Sequence, residues 1–167
     1  GRGCIRWGWM RRSTRVLVLA LALVGAVAWS LQAQADPFIG TWKLNVEKSQ
    51  YSPGPEPKSQ TSVYTVAGKG VRIRTTGIGA DGKPTSQDTT ANYDGKDYPT
   101  IGNPDYDTTS FKRVDAYTVL IVRRMDGKVV QTATNVVSKD GKTRTVTTKG
   151  TNAKGQAISS VSVYDRQ

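Results

Sequence analysis

Histidine is absent from this chain, and the single cysteine, Cys4, stands near its start, so residues 5–167 contain neither. Without imidazole there is no ordinary general base near neutral pH. With no thiol beside it, the common zinc sites and the Cys- or His-based catalytic triads are excluded as well. One cysteine forms no internal disulfide, so apolar packing has to hold the fold. Glutamate is nearly missing after position 35, where only Glu47 and Glu56 occur, and the aspartates fall mostly in turns. No acid/base carboxylate pair can be picked out, and the chain reads as a non-enzyme with no catalytic, cofactor or metal site. Leucine is equally scarce there, represented by Leu44 and Leu120 alone.

A long apolar run does occur once, at residues 16–29, directly after the basic stretch containing Arg11, Arg12 and Arg15. It is shorter than the ~20 residues that cross a bilayer, and Ala33-Gln34-Ala35 follows as a small-x-small cleavage pattern. The reading is an upstream extension and signal peptide over residues 1–35, with a single domain over 36–167; an uncleaved anchor is the competing reading. Arg11-Arg12 is ordinary for such a leader and does not itself indicate the twin-arginine route. Loss of Arg2, Arg6, Arg11, Arg12 and Arg15 takes the net charge from +11 to +6. Spread as lysines in turns and single arginines in strands, that charge implies a solvated surface and no nucleic-acid partner.

What remains is rich in threonine, valine and isoleucine, which are stiff at χ1 and fit a pleated surface. Asp-Gly-Lys recurs at 81–83, 94–96, 126–128 and 140–142 as hairpin punctuation. Cutting at the turns leaves ten strand-length segments: 41–47, 60–67, 71–78, 84–93, 97–101, 107–114, 117–124, 128–138, 142–149 and 156–166. Residues 117–122 read as the most fully buried. The connection 48–59 holds Pro53, Pro55 and Pro57 and has to be extended. So few large apolar residues serve so many strands that a barrel with a partly polar, hydrated interior is expected.

The start, Gly40-Thr41-Trp42-Lys43-Leu44, resembles the calycins, the group holding lipocalins and fatty-acid-binding proteins, whose first strand begins Gly-x-Trp. Val163-Tyr164-Asp165-Arg166 is similar to the ending of the fatty-acid-binding proteins. Tyr93-Asp94-Gly95-Lys96-Asp97-Tyr98-Pro99 resembles small exported bacterial proteins described as lipocalin-like. The resemblance implies an all-β, antiparallel up-and-down meander closing into an eight- to ten-stranded barrel, with Arg166 stacked across a floor tryptophan, Trp42. Ser162 stands where that family has an arginine for the ligand carboxylate, two residues before Tyr164. The proline-rich segment 52–57 replaces its helical lid, so a ligand other than a fatty acid is implied.

Among the arginines within strands, Arg72, Arg74, Arg113, Arg123, Arg124 and Arg144, most are expected to face outward. Arg123 and Arg124 are adjacent and must face opposite sides, so one of them enters the barrel. The candidate ligand-binding residues are therefore Trp42, Arg123, Arg124, Ser162 and Tyr164. Asn103, Asp105 and Asp107 alternate as calcium ligands do, but lack the glycine and distal glutamate of an EF-hand loop and read as a solvated turn. The functional reading is an exported, periplasmic or secreted, monomeric barrel binding a small amphipathic, hydrophobic or anionic molecule, with no membrane span after cleavage. The alternative is a structural or interaction protein of the cell envelope with a filled barrel; a cavity of roughly 300 Å³ or more separates the two. N-terminal sequencing of the exported protein should begin at Asp36, whereas a membrane-bound product retaining residues 16–29 would contradict the leader reading.

Overall fold

The threonine, valine and isoleucine runs form strands throughout a computed structural model that describes residues 35–167; residues 1–34, and with them almost all of the proposed leader, lie outside the described part. The strands are β1 (Gly40–Leu44), β2 (Gln50–Ser52), β3 (Ser59–Ala67), β4 (Gly70–Ile78), β5 (Pro84–Ala91), β6 (Asp94–Ile101), β7 (Thr108–Asp115), β8 (Thr118–Met125), β9 (Lys128–Val137), β10 (Thr143–Thr151) and β11 (Ala157–Arg166). No helix occurs among the described residues. From β3 to β11 every strand pairs antiparallel with the next, and β1 closes the ring by pairing with both β3 and β11.

Eleven strands fill ten positions. Leu44 of β1 pairs with Tyr164, and Tyr51 of β2 pairs with Ser160, so both short strands run along β11. Between them the chain loops out, with the Ser49 hydroxyl donating to the Asn45 carbonyl and accepting from the Val163 amide. The expected extended connection therefore contributes a strand of its own before the prolines end it.

Three of the four Asp-Gly pairs form turns, with Gly82, Gly127 and Gly141 at φ of 82°, 75° and 70°. The fourth does not. Asp94 pairs with Lys112 and Asp97 with Ser110, three steps against two, so Gly95 (φ 77°) sits in a β-bulge inside β6 and the chain reverses earlier, at Asn92–Tyr93. Left-handed backbone serves a bulge as well as a turn. Residues 117–122 are likewise not buried on both faces: Val119 and Ile121 point inward, but Leu120 is 42% exposed, because a barrel one sheet thick has water outside.

One end of the barrel is closed by apolar residues. Phe38 and Trp42 are fully buried, the Trp42 indole N–H donates to the Phe38 carbonyl at 2.9 Å, and the Arg166 guanidinium lies 4.3 Å over the indole. Arg166 also donates to the carbonyls of Pro37, Ile39 and Gly141, which pins the segment before β1 and the β9–β10 turn to the last strand. Val71, Ala91, Val119 and Val137 complete this floor. Removing the indole leaves a large void beneath an arginine that loses its stacking partner. Trp42→Ala should cost about 3–5 kcal/mol, read as a lowered urea midpoint; an unchanged midpoint would show that the floor does not hold the barrel together.

Candidate functional site

Above the floor the inward positions change character. A cavity of about 300 Å³ opens there, and its apolar lining is limited to Pro53, Ile73, Phe111, Ile121, Val146 and Ile158. The other lining residues carry hydroxyl, amide or charged groups. On one wall Thr89 donates to Thr100 at 2.9 Å, and Thr100 shares a 2.8 Å bond with Thr109, linking three strands through side chains that are all nearly inaccessible. Buried hydroxyls are tolerated where they satisfy one another, as here. The mouth is framed by Tyr51, Ser52 and Pro53 on one side and by Asn103, Asp105 and Tyr106 on the other.

The opposite wall carries two arginines. Arg123 shares the inward parity of Val119 and Ile121; its Nη1 donates to Gln131 Oε1 at 2.9 Å, and its guanidinium stands 4.9 Å over Tyr106. Arg124 faces the other way and forms an ion pair with Asp97 on the outer surface, so it is no part of the cavity. The expectation that one member of the pair enters the barrel holds, and Arg123 is that member.

The residue missed by sequence reasoning is Arg144, only 3% exposed. It sits on the floor: its guanidinium stacks 3.9 Å over Tyr164, 5.0 Å from Tyr64 and 5.7 Å from Trp42. Nη1 donates to the Tyr64 hydroxyl at 3.1 Å, while Nε and Nη2 have no partner. Among the described residues no carboxylate pairs with it, although Arg72, Arg74, Arg113 and Arg124 all find one. Cation–π contacts return about 2 kcal/mol when desolvated; an unpaired buried ion costs several times the energy of an ordinary hydrogen bond. A signal existed: Arg144 shares the face of Val146, the one apolar residue of its strand, and alternates with Thr143, Thr145 and Thr147.

Tyr164 lies directly across from Arg144 in the β10–β11 register. Its hydroxyl donates to Gln60 Oε1 at 2.6 Å, and Ser162, two residues before it, bonds the Tyr51 hydroxyl at 2.8 Å. Position 162 presents no cation, and the guanidinium beside Tyr164 belongs to Arg144 on the neighbouring strand. Trp42 does not line the cavity; it supports Arg144 from below. Of the five residues expected to hold a ligand, Arg123, Ser162 and Tyr164 line the cavity together.

Asn103 and Asp105 act as loop fasteners. Asn103 Oδ1 accepts from the Asp105 amide, and Asp105 Oδ1 from the Ala153 amide. Asp107 accepts from the Asp126 amide, and no cluster of three metal-ligating side chains occurs among the described residues. A second groove, of about 420 Å³, lies outside the floor between Asp36, Val66, Tyr93 and Arg113. There the Arg113 guanidinium stacks 3.9 Å over Tyr93 and pairs with Asp36 at 2.7 Å, so its charge is answered.

A ring of ten antiparallel positions in meander order, closed by its first and last strands and floored by a tryptophan under an arginine, is now in view. The barrel is calycin-like. No family model and no curated protein matches the chain. Among solved structures it is similar to the zebrafish ileal bile acid-binding protein complexed with cholic acid, at 10% identity and a TM-score of 0.44 over 78% of this chain and 99% of that one. It is also similar to lobster apocrustacyanin A1, at 17% identity and a TM-score of 0.42, over 81% of this calycin-like chain and 63% of the lobster protein. Neither likeness bears on what this barrel holds.

Burial raises the Tyr164 hydroxyl from 10.0 to about 12, with the Arg144 charge opposing the rise. Burial also pushes Tyr93 upward, reinforced by Asp36. A group that keeps its proton longer when folded contributes stability fully present below the unfolded value and lost as pH rises through the folded one. The denaturation midpoint should therefore fall between pH 10 and about 12, and Tyr164→Phe should remove part of that fall, leaving the shares of Tyr93 and Tyr51, which burial also raises. A Phe variant with the wild-type alkaline profile would show that Tyr164 ionises freely.

Proposed function

We propose that this barrel is an exported, non-enzymatic binding protein for a small anion, held between Arg144 and Arg123. The observation that carries the reading is Arg144 itself: a residue 3% exposed, lining a cavity of about 300 Å³, with two guanidinium nitrogens lacking partners and no carboxylate in ion-pair range among the described residues. A ligand anion would supply both the countercharge and the acceptors. The cavity meets the size expected to separate a binding barrel from a filled one. Its lining favours the anionic over the amphipathic or hydrophobic reading, since a hydrocarbon chain would offer the polar walls nothing.

Export is part of the proposal. Asp36, the residue that cleavage would leave first, already belongs to the fold: its carboxylate pairs with Arg113 and accepts from the Phe38 amide, and its carbonyl accepts from the Ile39 amide. Cleavage after Ala35 would leave these bonds in place, and the barrel would be released as a periplasmic or secreted monomer. A filled structural barrel remains the second reading, favoured by the three aromatic rings around Arg144, which satisfy its charge in part.

Native mass spectrometry of protein purified from its own source, followed by a thermal-shift screen of organic acids, fatty acids and neutral sugars, distinguishes the two. A retained small acid, or a melting rise of several degrees with acids and none with neutral sugars, is expected; Arg123→Gln, which does not disturb the floor, should weaken that response at least tenfold. An empty protein that answers no anion would establish the filled-barrel reading instead.

A further inference from the structure

The hydrogen-bonding polarity of the cavity narrows the ligand further. Most side-chain acceptors that line it are already taken by the protein. Gln60 Oε1 accepts from Tyr164, Gln87 Oε1 from both Tyr106 and Asn103, and Gln131 Oε1 from Arg123. Those bonds orient the amides of Gln60 and Gln87 and leave their NH₂ groups without a protein partner among the described residues. Nε and Nη2 of Arg144 are donors without partners too. Against these stand the acceptors Asn135 Oδ1 and the second oxygen of Asp105 at the mouth, with the hydroxyls of Ser52, Thr148 and Ser160 able to donate or accept. A cavity in which groups that can only donate outnumber those that can only accept complements a molecule whose polar atoms are nearly all acceptors. A sugar or polyol, with a donor on every hydroxyl, fits it poorly.

The two cations occupy different depths. Arg123 is opposite Gln131 on β9, and Arg144 is opposite Val137 on the same strand, six residues nearer the floor and roughly 20 Å away along the backbone. Both side chains line the same cavity, and Arg144 stacks on the Tyr164 ring. One ligand could therefore meet a guanidinium at each end, with the wall of Ile73, Phe111 and Ile121 against its middle. At interior packing density a cavity of about 300 Å³ holds roughly fifteen non-hydrogen atoms.

Resting on the anion-binding reading above, we propose that the ligand is a small two-headed anion, a short dicarboxylate in its simplest form, with one acidic group on Arg144 and the other on Arg123. Calorimetric titration of the purified protein with succinate, glutarate, butyrate and glucuronate tests it. The dicarboxylates should bind at least tenfold more tightly than butyrate, and Arg123→Gln should bring them down to the level of butyrate. Equal affinity for butyrate and the dicarboxylates, or tightest binding by glucuronate, overturns the two-headed ligand but keeps an anion site. Binding by none of the four overturns both. Should Arg144→Gln fail to fold, Arg123→Gln still decides, because its neighbours are the cavity mouth and not the floor.

Discussion

The guanidinium of Arg144 is the constraint around which the interior is arranged. It rests between the rings of Tyr64 and Tyr164 and above Trp42, so three aromatic side chains are held in place by one cation. Below it the barrel is packed with apolar side chains, and above it the inward positions turn to threonine, serine, glutamine and asparagine. A charge that far from water needs either a countercharge or a dense set of acceptors. Among the described residues it finds a single acceptor, the Tyr64 hydroxyl, and a stack of π faces.

That division accounts for how a chain with so few large apolar residues closes ten strand positions. The floor concentrates Phe38, Trp42 and the small aliphatics into one packed layer under the Arg166 clamp. The upper half relies instead on cross-strand hydroxyl bonds such as Thr89–Thr100–Thr109 and Ser62–Thr75, which satisfy the walls without filling the space between them. Stability and cavity thus come from different ends of the same barrel. A ligand site can sit above a packed floor without weakening it.

Much of this architecture was legible in the residues. β-branched composition and Asp-Gly spacing announced hairpins, Gly40-x-Trp42 and the last four residues of β11 located the closing strands, and the scarcity of large apolar residues implied a polar interior. The boundaries that failed did so for local reasons. Asp94-Gly95 has the chemistry of a turn and of a bulge alike, and only the β6–β7 register decides between them. β2 escaped notice because three residues beside prolines carry no alternation to read. Arg123 could be narrowed to one of two by adjacency, yet Arg144 stayed hidden, because among alternating threonines a single arginine looks like a solvent-facing residue until its partners across β9 and β11 are known.

The central claim is that Arg144 carries an incomplete set of hydrogen bonds which an anion completes. The ¹H–¹⁵N resonance of its Nε–H group, assigned by comparison with the other arginines, reports on that bond directly. Titration with an organic dianion should move the Arg144 Nε–H resonance downfield and slow its exchange with water, while Arg166, already bonded to backbone carbonyls, stays where it is. An Arg144 resonance unmoved by every anion, and already protected in the ligand-free protein, would contradict the account.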